Sequence, residues 1–170
     1  SKIVRLLHNR AKSQPKRIVF AEADHLDVLK AAQIVYDEKI GYPILLGDRE
    51  VILELKEEIG FEADVKIIDP KSSDAKPERY KFADAYWKSR QRDGITRLEA
   101  RKWMRERNYY ASMMVNEGEA DCLITGYSRN YATVVKPILE LVGMDKGVSR
   151  IAAANLMMTK RGPMFLADTT

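Results

Sequence analysis

One cysteine, Cys122, occurs in 170 residues, which excludes an internal disulfide framework and any cysteine-based zinc site. A lone cysteine of this kind is expected to be a small buried residue in a reducing compartment. Long apolar runs are also lacking. The longest, around residues 44–46 and 151–154, fall far short of a membrane span, so no membrane partner is expected. The first residues lack a signal-peptide core, since Arg5, His8 and Arg10 interrupt the apolar positions. No Gly-x-Gly-x-x-Gly, no Gly-x-x-x-x-Gly-Lys-Ser/Thr and no Gly-x-Ser-x-Gly occurs. A standard nucleotide-cofactor loop and a serine-nucleophile elbow are thereby excluded from these residues. Repeats and low-complexity stretches are absent too.

What remains is an ordinary globular composition, 45% hydrophobic and 32% charged, long enough for one domain with its own core. Lys plus Arg is 29 against 25 for Asp plus Glu, a formal charge of +4. The excess is mild and spread along the chain. It suits a cytoplasmic protein that handles anionic small molecules better than one that binds nucleic acid.

Periodicity predicts strands at residues 17–21, 43–47, 65–68 and 122–125, alternating with helices. The first of these helices starts at Leu26 and stops before Gly41. The second is capped by Asp48 and ends at Gly60. Pro77 suits the start of a third helix, running to about Arg92. Thr96 and Glu99 form a capping box that opens a basic helix through Arg107. Helices over residues 109–117 and 133–142 follow, the latter with Pro137 in or near its first turn. His8 sits on an amphipathic N-terminal helix and decorates its surface. Residues 151–158 and 164–167 read as two strands joined by a turn at 159–163. The alternation predicts an α/β fold, a three-layer, mostly parallel sheet with helices on both faces, ending in a β-hairpin. Residues 1–147 are expected to form this lobe, and residues 148–170 to begin a second.

In open α/β sheets ligands bind beyond the carboxyl ends of the strands. After the first strand, Glu22, Asp24 and His25 could act as acid/base groups or hold a metal; the alternative is that Asp24 caps the next helix and the others are solvated. After the fourth strand, Thr125, Ser128 and Asn130 offer uncharged hydrogen bonds and Arg129 a cationic fork. Gly126 permits close approach, and a helix N-terminus follows. These residues together suit an oxyanion or phosphate. Between Arg79 and Arg107, cations alternate with Tyr86, Trp87 and Trp103. The acids Asp84, Asp93, Glu99 and Glu106 dilute the field, so the aromatics read as core-facing under cationic stems, with Arg90 free to hold a ligand phosphate.

Segments 16–22, 28–32, 43–47, 90–96, 110–115, 118–121, 124–126, 136–137 and 165–170, in that order, resemble the phosphate acetyl/butyryl transferase (phosphotransacetylase) family over nearly the whole chain. Tyr86-Trp87, residues 159–162 and residues 167–170 look most like the version at the C-terminus of an NADP-dependent malic enzyme. The resemblance implies the first lobe of an isocitrate-dehydrogenase-like two-lobed fold. It implies acyl-CoA or CoA and phosphate as small-molecule ligands, with NADP and a divalent metal needed only by the malate-decarboxylating part of such a parent. It carries over Arg90, and places Lys136 where transferases usually have Arg, keeping charge but losing the bidentate fork. Thr125-Gly126 matches a Ser-Gly pair, whereas Asn130-Tyr131 replaces hydroxyl residues. The ligand set implied is Arg90, Thr125, Gly126, Ser128, Arg129, Asn130 and Lys136, with no metal. The family's catalytic Ser-Arg pair and Asp lie beyond residue 170, and Asp168 is not that base. Hence no catalytic residue and no acetyl transfer are expected of these residues, and a regulatory acyl-CoA-sensing role is. Alternatives are a stand-alone phosphate acetyltransferase and a non-catalytic oligomerisation module. A homo-oligomer is expected, with the terminal hairpin able to pair with another chain.

Overall fold

The computed structural model describes residues 2–144 and 146–167. Ser1 and the terminal Asp168, Thr169 and Thr170 of the family-like motif lie outside the described residues. In chain order the elements are α1 (Lys2–Ser13), β1 (Lys16–Phe20), α2 (Leu26–Asp37), β2 (Gly41–Leu46), α3 (Arg49–Glu58), β3 (Ile67–Ile68), α4 (Lys76–Arg90), α5 (Arg97–Trp103), α6 (Arg107–Asn116), β4 (Cys122–Ile124), α7 (Tyr131–Leu141), β5 (Ala154–Thr159) and β6 (Gly162–Ala167). The first four strands form one parallel sheet in the order β3-β2-β1-β4, with Ile18 opposite both Pro43 and Cys122.

Successive side chains of a strand point to opposite faces, and here both faces are apolar. Val19, Ile44 and Leu46 point into one core with Phe82, Tyr86, Met104, Tyr110 and Met113 from α4 to α6. Phe20 and Leu45 point into the other, against Leu29, Ile52 and Phe61 around α2 and α3. The three-layer α/β architecture is therefore as the sequence predicts. Pro43 survives inside a central strand because alternate residues of β2 donate toward β3: Leu45 N to Lys66 O at 2.9 Å and Gly47 N to Ile68 O at 3.1 Å. Pro43 faces that same side two residues before this pairing begins, so its missing N–H costs no ladder bond.

Local signals place several helix ends. Asp48 accepts from Val51 N at 3.2 Å, and the Thr96–Glu99 capping box is complete in both directions. Elsewhere the boundaries differ from expectation. α6 begins at Arg107, because Glu106 caps it by accepting from Asn108 N at 2.9 Å. α7 begins at Tyr131, capped by Asn130, which leaves Pro137 as its seventh residue rather than in its first turn. Cys122 is exposed, not buried, because β4 is an edge strand. Tyr86 is buried, as expected of a core-facing aromatic, whereas Trp103 keeps 40% of its surface exposed.

β5 and β6 make a separate antiparallel pair around a two-residue turn, Lys160-Arg161, tighter than the five-residue turn predicted. Gly162 takes φ 120°, a left-handed conformation that suits glycine at the end of so short a turn. Pro163 is tolerated opposite Met158 because each strand of a two-stranded sheet is an edge. Apolar residues are exposed along both strands, Phe165 at 73% among them.

Candidate functional site

The strand order reverses between β1 and β4, and the crevice above such a reversal is where an open α/β sheet takes its ligands. Here the loop after β1 meets the loop after β4 directly. Glu22 is 1% exposed. Its Oε2 accepts from Gly126 N at 2.9 Å and Tyr127 N at 2.7 Å, and its Oε1 accepts from Ser128 N at 3.0 Å and from the Ser128 hydroxyl. Burial by itself would raise the pKa of this carboxyl. The hydrogen bonds from Ser128, Tyr127 and Gly126 outweigh it and hold the pKa below the ordinary 4.5. Three consecutive N–H groups, of Gly126, Tyr127 and Ser128, thus form an anion nest that the chain's own Glu22 carboxylate fills, and the Ser128 hydroxyl is engaged by the same carboxylate.

Asp24 does not cap α2. Residue 25 holds the cap position, and the His25 side chain makes no capping bond. Asp24 instead makes a bidentate pair with Arg107, at 2.5 and 2.9 Å, and accepts from Asp48 N at 3.2 Å. Arg107 also donates to Ala21 O at 3.3 Å. Gly47, with φ 147°, is required here, since a Cβ at that position would lie 2.7 Å from Asp24 Cγ. Glu22 and Asp24 therefore hold neighbouring segments in place rather than standing free as acid/base groups, while His25 packs its ring against Tyr127, ring centres 5.4 Å apart. Among the described residues no cluster of three or more His, Cys, Asp or Glu is arranged to hold a metal.

The remaining predicted residues divide between two places. Arg90 and Lys136 come together across Glu140, each 4.0 Å from its Oε1, while Tyr86 and Tyr109 both donate to its Oε2 at 3.2 Å. Burial, then Glu140, pushes the Tyr86 phenol up to about 12. Lys136 Nζ lies 6.0 Å from the Trp103 ring centre, and Trp103 forms part of the wall of a cleft of about 390 Å³. Arg129 lines the same cleft, beyond the ends of β2 and β3, together with Gly47, Asp48, Asp69 and Arg107. Thr125 donates to Asn108 Oδ1 at 2.6 Å, a fully buried amide that the sequence did not single out. The Asn130 side-chain Oδ1 is used inside α7's first turn, accepting from Thr133 N and Oγ1 at 3.0 and 2.7 Å. Glu140 and Asn108 carried no motif signal. Lys71, on the same cleft, could have been found, because it follows β3 as the other loops follow their strands.

The family model for phosphate acetyl/butaryl transferase matches residues 2–170. An NADP-dependent malic enzyme of Haemophilus influenzae is 31% identical over 174 residues, covering 99% of this chain and 23% of the relative. A phosphate acetyltransferase of Thermoanaerobacterium thermosaccharolyticum is 31% identical over 156 residues, covering 91% of this chain and 46% of the relative. The chain thus spans less than half the length of either. The EutD phosphotransacetylase from Staphylococcus aureus superposes with a TM-score of 0.82 at 24% identity, over 96% of this chain and 49% of that one, a likeness of fold.

Proposed function

The chain belongs to the phosphate acetyl/butaryl transferase family, and on that premise we propose that it binds an acyl-coenzyme A and phosphate as one lobe of a larger cytoplasmic protein of the NADP-dependent malic enzyme kind, sensing the acyl-CoA rather than turning it over. NADP and a divalent metal would serve the malate-decarboxylating part of such a protein, not these residues. Acyl transfer between a thiol and phosphate needs a base for the thiol proton and donors for the developing oxyanion.

The observation that carries this reading is the engagement of Glu22 with Gly126, Tyr127 and Ser128. The loop that would cradle an oxyanion has no backbone donor left from these three residues, while Arg129 forms no ion pair among the described residues and keeps a cationic group for a bound anion. Arg90 is paired with Asp93 at 3.1 Å and shares Glu140 with Lys136. Lys136 also supplies a point charge in place of a fork.

Calorimetric titration of the 170-residue chain with acetyl-CoA and with phosphate, beside an assay for acetyl phosphate formation, tests this. Binding without turnover is expected. Absence of binding overturns the reading. Turnover overturns the sensing role in favour of a stand-alone phosphate acetyltransferase, a reading supported by the equal 31% identity to relatives of both names. The exposed apolar side chains along the β5–β6 hairpin support self-association, which sedimentation velocity over a concentration series reads directly.

A further inference from the structure

No residue of α1 is buried, and Val4, Leu6 and Leu7 keep 41%, 57% and 55% of their surface exposed. A helix of 12 residues draws little stability from propensity alone and depends on packing an apolar face. Its charge is one-sided as well. Lys2, Arg5, Arg10 and Lys12 share the helix with no acid, and none of the four forms an ion pair among the described residues. Lys2, Arg5 and Lys12 fall on one side of the helix with Asn9, and Val4 borders them. The link to the body of the lobe is His8, whose Nδ1 lies 3.4 Å from Glu38 Oε2.

α3 carries the opposite pattern. It turns Ile52 inward, and Glu50, Glu54 and Glu57 then form one outward stripe at i, i+4 and i+7, with Glu58 beside it. Like charges at this spacing destabilise a helix. The helix's own cations do not relieve them, because Arg49 donates to Ile67 O at 3.2 Å and Lys56 to Ala63 O at 2.7 Å. None of the four glutamates forms an ion pair among the described residues. Val51 and Leu53, 38% and 47% exposed, flank the stripe on its two sides. At 1.5 Å per residue α1 is about 18 Å long and α3 about 15 Å, so the two faces match in length as well as in sign.

We propose that α1 of one copy docks along α3 of a second copy, with Lys2, Arg5 and Lys12 against Glu50, Glu54 and Glu57. Exposed ion pairs alone hold little. The exposed Val4 and Leu6 of α1 and Val51 and Leu53 of α3 supply the apolar burial, while the charges select the partner and fix the register. Each copy carries both faces, so two copies about a two-fold axis make the contact twice. The surface is separate from the β5–β6 hairpin, and the inference does not rest on acyl-CoA binding.

The test is sedimentation velocity of the 170-residue chain over a concentration series. Self-association should weaken by about tenfold or more between about 0.1 M and about 1 M salt, as the screening length falls from about 10 to about 3 Å. Lys2→Glu/Arg5→Glu and Glu54→Lys/Glu57→Lys place acid in the first turn of α1 and base in the later turns of α3. The helix dipole favours each of those placements, so both variants should keep the wild-type far-ultraviolet circular dichroism spectrum. Each variant alone should associate at least tenfold more weakly than wild type. An equimolar mixture of the two should recover the association, because every reversed helix then meets its opposite on the other variant. A wild type that stays monomeric, or a mixture that fails to recover association, overturns the inference. Association unmoved by either reversal assigns it to the hairpin and overturns the inference too. The same holds if Lys2→Glu/Arg5→Glu leaves association intact but abolishes binding to phosphatidylglycerol vesicles, which gives α1 to a lipid surface. Absence of acetyl-CoA binding removes the function proposed above and leaves this contact standing.

Discussion

Replacing Glu22 by Gln keeps the size of the side chain and removes only its ability to accept at both oxygens. The native carboxylate receives three backbone N–H groups and a hydroxyl while almost fully buried. An amide has one accepting oxygen. Its best orientation keeps that oxygen on Gly126 and Tyr127 and turns the NH₂ toward Ser128. The Ser128 hydroxyl can rotate to accept, but the Ser128 N–H is left facing another donor, and the two retained bonds lose their charge assistance. At about 1.5–3 kcal/mol for a hydrogen bond to a charged group, the total loss comes to about 2–4 kcal/mol. Urea unfolding should show it as a midpoint lower by about 1–2 M at an unchanged slope.

The pH dependence gives a second, independent reading. The folded pKa of Glu22 lies below its ordinary value of 4.5, so its contribution is fully present above that value and is lost as pH falls through the folded pKa. The gap between wild type and Glu22→Gln should therefore be constant near neutrality and narrow below about pH 4.5. A midpoint unchanged to within about 0.5 kcal/mol, or a gap that widens in acid, would refute the assignment of the β4 loop to this carboxylate.

Two further outcomes follow from geometry nearby. Gly47→Ala places a Cβ 2.7 Å from Asp24 Cγ at a φ of 147°, straining the backbone and pushing on the Asp24–Arg107 pair. It should cost about 2 kcal/mol or more, a fall of about 4–8 °C in melting temperature, and an unchanged melt would show that the loop relaxes freely. The Arg17 guanidinium, hydrogen-bonded at 3.1 Å, holds the Asp121 carboxyl down at about 2 rather than 3.8. Its stabilising contribution is present above 3.8 and lost as pH falls through about 2. A carboxyl-carbon NMR titration should give that midpoint in wild type and a return toward 3.8 in Arg17→Gln; equal midpoints would exclude the pair as the cause.

What the sequence reveals of this fold is what depends on neighbours within one or two turns. The Thr96–Glu99 box, the Asp48 cap and the apolar runs of β1 and β2 are each local, and each stands where the residues predict. What it hides depends on partners distant in sequence. Cys122 reads as a core residue because its strand reads as one; that the strand is an edge follows from the order β3-β2-β1-β4, which no local pattern encodes. Pro137 was displaced by an N-cap, Asn130, whose side chain reads equally well as a ligand group.

The site divides along the same line. The loops after β1 and β4 are identifiable as the place for chemistry from strand alternation alone, and Arg129 does line an open cleft. The meeting of Glu22 with residues more than a hundred positions away is a product of register, since Phe20 pairs with Ile124 and so brings the two loops out of the sheet side by side. Electrostatics then decides where an external anion goes. Three aligned N–H groups can neutralise one oxyanion, and the buried carboxylate already there would repel a second. Arg107 is drawn to the same place by Asp24, with Glu22 adding to its stabilisation as a cation, so it too is spent internally. Once the crevice at the strand-order reversal is neutralised from within, the positive potential left on this end of the sheet belongs to the cations around Trp103 that are unpaired among the described residues, Arg129 among them.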